Sequence, residues 1–92
     1  MNEFKTALNK IGYNLQKESE RNYILYDNNN HRTDLRLEKQ SGDNYYLIIL
    51  KPAFHNFERE RIASFSIEEI NVLSNGSLRI GKDEGYVILR RL

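Results

Sequence analysis

The change of hydrophobic period at Gly12 constrains the fold of this chain more than any other feature. Before it, Phe4, Ala7, Leu8 and Ile11 fall at i, i+3, i+4 and i+7, one face of a helix. After it the apolar residues alternate in twos, the period of a strand. The spacing predicts a helix over 3–11, with Asn2 as N-cap and Glu3 favourable in the first turn. Gly12 suits the left-handed position just past the helix. Tyr13 would follow it and reach back to Leu8.

The remainder reads as short strands between turns. Leu15 and Lys17 continue the alternation from Tyr13, and Tyr23–Tyr26 is a β-prone run. Asp27-Asn28-Asn29-Asn30-His31 is turn chemistry, because Asn and Asp cap their own turns and tolerate left-handed backbone. Thr33, Leu35, Leu37 and Lys39 alternate with polar residues, as in a strand with one solvated face. Ser41–Asn44 makes the next turn. Tyr45–Leu50 is apolar on both faces and reads as the central strand, ended by Pro52. Residues 52–60 stay open between a helical turn and an irregular loop. Arg61–Ser66 is again a strand. Ser66-Ile67-Glu68-Glu69 fits a capping box, which favours one helical turn at 67–70 over a longer helix or strand through 74. Asn75-Gly76 signals a tight hairpin, Lys82–Gly85 a turn, and Tyr86–Arg91 the last strand. Asn75-Gly76-Ser77 also matches a glycosylation sequon but is read here as that turn.

The sum is an α+β fold within one domain, residues 1–92. An N-terminal helix packs on a bent antiparallel meander, or on a small β-barrel, of about six strands.

Composition enters where function does. There is no cysteine, which excludes disulfide staples, thiolate metal sites and Cys nucleophiles. The opening residues lack a basic-then-apolar leader pattern, and no apolar run could span a bilayer. The expectation is a cytoplasmic protein with no membrane partner. Lys and Arg number 14 against 13 Asp and Glu, so bulk charge favours neither nucleic acid nor a basic partner.

No phosphate-binding glycine loop, dinucleotide fingerprint or helical His pair is present. No metal or cofactor is expected. His31 and His55 fall in separate loops and are the only candidates for a small hydrolase or nuclease. The acidic pairs Glu18/Glu20, Glu58/Glu60, Glu68/Glu69 and Asp83/Glu84 could hold a metal. They read more simply as solvated strand edges that discourage edge-to-edge pairing.

Two surfaces are expected to carry function. Phe54, Phe57, Tyr45 and Tyr86 are candidates for a protein interface, where aromatic residues are enriched. For Phe54 and Phe57 the competing reading is a plug in one end of the barrel. Arg36, Lys39, Arg59, Arg61, Arg79 and Arg90 would form a basic stripe for nucleic acid if their strands are neighbours. Asp34, Glu38, Glu58 and Glu60 interleave with them and would neutralise it.

The opening stretch 7–30 resembles the helix, Gly-aromatic, strand start of the small HicA-type RNA-cleaving toxins. Those carry Gly-Ser-His at the first strand turn. Here the stretch is Ser19-Glu20-Arg21-Asn22, without the histidine, so the activity is not carried over.

The expected function is therefore a non-enzymatic protein-binding module, of the kind that serves bacteria or phages as an accessory or inhibitor. Its partner would be another protein, with a homodimer through unpaired edge strands as a further expectation. A nucleic-acid-binding small barrel is the second reading, and the histidine enzyme the third.

Overall fold

The computed structural model describes residues 1–92. One helix, α1 (Asn2–Lys10), precedes eight strands: β1 (Asn14–Lys17), β2 (Asn22–Tyr26), β3 (Arg32–Ser41), β4 (Asn44–Ala53), β5 (Asn56–Ser66), β6 (Ile70–Val72), β7 (Leu78–Ile80) and β8 (Val87–Leu89). A single 3-10 turn, Ile67–Glu69, joins β5 to β6. Every strand pairs antiparallel with its chain neighbour within two sheets, ordered β1-β2-β3-β4-β5 and β6-β7-β8. The fold is α+β, a helix on a bent meander. The barrel does not form, because β1 and β5 remain separate edges. The apolar face of the large sheet is closed by α1 and the small sheet instead.

The helix ends as its residues dictate. The Tyr13 N–H donates to the Leu8 carbonyl (2.9 Å) and the Gly12 N–H to that of Asn9 (3.2 Å). Gly12 adopts φ +99, the left-handed region that this ending requires. A Cβ there would also lie 3.0–3.2 Å from Asn28 and Leu92 atoms. The helix start differs from expectation. Met1, not Asn2, is the cap, without a side-chain bond. The Lys5 N–H reaches the Met1 carbonyl (3.0 Å), which places Asn2 inside the first turn.

Two hairpins share one turn design. At 27–31 and at 73–77, the fourth residue donates to the first carbonyl (Asn30 to Asp27, 3.1 Å; Gly76 to Leu73, 2.9 Å). That fourth residue is left-handed in both, at φ +62 for Asn30 and +89 for Gly76. This is a type I turn closed by a bulge, the form that the expected tight hairpin at Asn75-Gly76 takes. The Asp27 carboxylate fixes its turn by accepting from Asn29 and His31 N–H groups, each at 2.9 Å. Glu69 accepts from the Ser66 N–H (2.8 Å), the expected half of a capping box. The last strand is shorter than expected, Val87–Leu89.

Residues 52–60 resolve as strand. β4 runs through Pro52 to Ala53, and Phe54-His55 form a two-residue turn with His55 at φ +69. Pro52 is tolerated because β3 pairs with β4 no further than Leu35↔Ile49. Beyond that point β4 has a neighbour on one side only.

The core is one cluster: Phe4 and Leu8 from α1, Ile11 and Tyr13 from the turn that ends it, Leu25, Leu37, Tyr45, Leu47, Ala63 and Phe65 from the large sheet, Leu78, Ile80 and Leu89 from the small one. Phe65 is its centre, edge-on to Phe4 (5.7 Å between ring centroids) and stacked with Tyr45 (6.0 Å). No helix is long and apolar enough to cross a membrane.

Candidate functional site

Because side chains alternate along a strand, the register assigns every residue of the large sheet to one of two faces. The inner face joins the core. The outer face carries two cross-strand rows. One runs Gln16–Ile24–Arg36–Ile48–Arg61 and the other Asn22–Glu38–Tyr46–Ser64.

Arg36 lies between Ile24 and Ile48 in the first row and is only 8% exposed. Its Nη1 donates to the Thr33 and Leu35 carbonyls. Burial lowers its pKa from the ordinary value, with Glu18 opposing the shift and Arg32 and Arg59 adding to it. The guanidinium stays charged at neutral pH nonetheless. This arginine completes a sheet face and has little surface left for a ligand.

Arg59 and Arg61 stand further along the same face and are exposed. Both turn to one carboxylate: Glu38 lies 3.1 Å from Arg61 and 3.9 Å from Arg59. Arg61 also covers the Tyr46 ring at 4.0 Å. Arg61, Glu38 and Tyr46 border, with Arg21, an open cleft of about 420 Å³. Lys39 borders it too, its N–H held by the Arg21 carbonyl.

The structure does not unite all six basic candidates. Arg79 belongs to the small sheet, over the Tyr86 ring at 4.2 Å and donating to the Lys82 carbonyl. Arg90 follows β8 and is exposed. Neither shares the face of Arg36, Arg59 and Arg61.

The four aromatic candidates also divide. Tyr45 is buried in the core against Phe65, so it cannot meet a partner. Tyr86 is half-exposed under Arg79. Phe54 and Phe57 are exposed at 91% and 61%, so they plug nothing. They occupy the apex of an arm formed by Leu50–Ala53 of β4 and Asn56–Arg59 of β5, beyond the last β3 pair. The Phe54 ring leans on His55, 4.1 Å away. On the arm's inner face Lys51 and Glu60 form an ion pair, which holds the Lys51 ammonium above its ordinary pKa.

The histidines occupy separate turns. His31 lies 3.9 Å from the Asp27 carboxylate with its side chain 77% exposed, and His55 packs on Phe54. No three His, Asp or Glu side chains group as metal ligands.

One feature of the arm escaped the reading of the sequence. Glu58 and Glu60 lie on one face of β5, and Arg59 and Arg61 on the other. The signal is the run Phe57-Glu58-Arg59-Glu60-Arg61, which becomes a segregation of charge once the segment is known to be a strand. Compared with protein-family models, with curated proteins and with solved structures, the chain matches none.

Proposed function

We propose that this chain is a non-enzymatic protein-binding module that docks through the β4–β5 arm. Phe54 and Phe57 are its apolar anchors, and it acts as an accessory or inhibitor of a larger partner. The observation that carries the reading is the exposure of two phenylalanines at the apex of a two-stranded arm. Aromatic residues, Phe among them, are enriched at protein interfaces, and burying one on binding is favourable by about 1.5–3 kcal/mol. Neither ring contributes to the core, so its position is not explained by folding.

The test is capture from native extract, treated with nuclease, by tagged wild type and by Phe54→Ser/Phe57→Ser. A stoichiometric protein partner lost with the double substitution, while the denaturation midpoint stays unchanged, supports the reading. Capture that is indifferent to both phenylalanines sinks it.

A second reading has its own observation, the Arg61 guanidinium stacked on Tyr46 beside Arg59 and Arg21. Cations next to an aromatic ring suit a nucleic-acid strand. Glu38, paired with both arginines, weakens that surface. Binding to single-stranded DNA that falls steeply with salt would favour it, and salt-insensitive or absent binding would remove it.

A further inference from the structure

β5 is the last strand of its sheet, and Asn56–Arg61 are all exposed. Its backbone is turned outward at defined positions. Pro52 has no N–H, so Pro52↔Phe57 is a pair without hydrogen bonds. By antiparallel alternation the bonded pairs are Lys51↔Glu58 and Ile49↔Glu60. The N–H and C=O groups of Phe57 and Arg59 therefore face the open edge, where the Phe57 N–H donates to the Asn56 Oδ1 (2.9 Å).

Charge along that edge is sorted by face. Arg59 and Arg61 point outward and share a single carboxylate, Glu38. Glu58 and Glu60 point inward, where Lys51 is opposite Glu58 and paired with Glu60. Each face of the edge thus keeps an excess of one sign, positive outside and negative inside.

This sorting decides who can pair there. Two copies joined antiparallel edge to edge are related by a two-fold axis perpendicular to the sheet, which preserves the faces. In the registers that overlap the charged run, like charges then meet: Glu58 faces itself when the axis passes through position 58, Arg59 faces itself and Glu58 faces Glu60 when it passes through 59, and Arg59 faces Arg61 with Glu60 facing itself when it passes through 60, arrangements that destabilise a strand pair. A strand of opposite alternation meets no such penalty.

We propose that the β5 edge accepts an extended segment of another protein, added antiparallel, with carboxylates opposite Arg59 and Arg61 and ammonium or guanidinium groups opposite Glu58 and Glu60. Main-chain bonds to Arg59 and to the Phe57 carbonyl supply the pairing, and the alternating charges supply the selection. The inference rests on the protein-binding reading above and adds the form and chemistry of the partner.

The test is a titration of ¹⁵N-labelled full-length protein with an end-capped peptide of core Val-Glu-Lys-Glu-Lys-Val. Its isomer Val-Glu-Glu-Lys-Lys-Val has the same composition but fits no register fully. Expected are amide shifts confined to residues 56–62, at least tenfold weaker binding of the isomer, and loss with Arg59→Pro. That substitution removes an edge N–H and leaves the β4 pairs intact. Equal binding of both peptides, shifts elsewhere, or no binding at millimolar peptide would overturn the proposal. A concentration-dependent dimer burying the same amides would assign the edge to a second copy and also overturn it. Failure of the peptide with retained Phe54/Phe57-dependent capture would overturn the edge proposal while leaving the arm's docking role standing.

Discussion

Arg36 shows how a residue's place in a sheet can reverse the meaning of its charge. In sequence it sits with Arg32 and Lys39 and reads as one member of a basic stripe. In the fold its stem fills the space between Ile24 and Ile48, and its head is spent on two backbone carbonyls. Long cationic side chains often cover apolar surface in this way. Arg36→Ala should therefore cost about 1–3 kcal/mol of stability, as truncations of buried side chains do. Arg36→Met, which keeps the stem and removes the need to solvate a charge, should stay within about 1 kcal/mol of wild type. Denaturant titration of the two variants separates packing from charge. Equal losses would show that the carbonyl bonds, not the stem, stabilise this face.

At the scale of elements, local patterns were legible and pairings were not. The period change at Gly12 located α1 and its ending, because a Schellman turn is specified by six consecutive residues, here Leu8–Tyr13. The turns at 27–31 and 41–44 were equally local. Residues 52–60 were not legible, because whether Pro52 may lie in a strand depends on whether β3 reaches it. That is a tertiary fact. The choice between the two expected forms, bent meander and barrel, was not legible for a related reason: a list of strands does not say whether the apolar face is closed by curling or by covering. For the arm, Phe57 and the charges that follow are plain in the sequence, but face segregation has no meaning until strand and register are known. The edge carries a prediction of its own, in the double variant Arg59→Thr/Glu60→Lys. A two-fold pairing centred on position 59 would set the introduced ammonium opposite Glu58 twice, with the two uncharged hydroxyl side chains facing each other between them. Replacing two repulsive pairs by two attractive ones should favour the dimer by about 1–3 kcal/mol. Sedimentation at increasing concentration should show at least tenfold tighter self-association than wild type, and no difference would refute the role given to the face charges.

At the scale of the whole molecule, helix and both sheets share a single cluster, so they should unfold together. Alkaline titration tests this. Burial raises the pKa of Tyr13 and, with the nearby Tyr23 and Asp43, that of Tyr45. A phenol with a raised folded-state pKa stabilises fully below its unfolded value near 10, and that stability is lost as pH rises through the folded value. Midpoints in denaturant should be flat across neutral pH and fall above about pH 10, and Tyr13→Phe or Tyr45→Phe should flatten the alkaline fall. With six Tyr and no Trp, tyrosinate absorbance follows the same event directly. Ionisation of these two phenols without loss of the fold would contradict their place in the core. The arm stands outside this cooperative unit. Since β3 stops at Leu35↔Ile49, residues from Lys51 to Glu58 touch little that the core depends on. Lengthening such a loop adds only about 0.6 kcal/mol of closure entropy per doubling. Descendants of this chain are therefore free to vary the arm in length and sequence while inheriting the core intact.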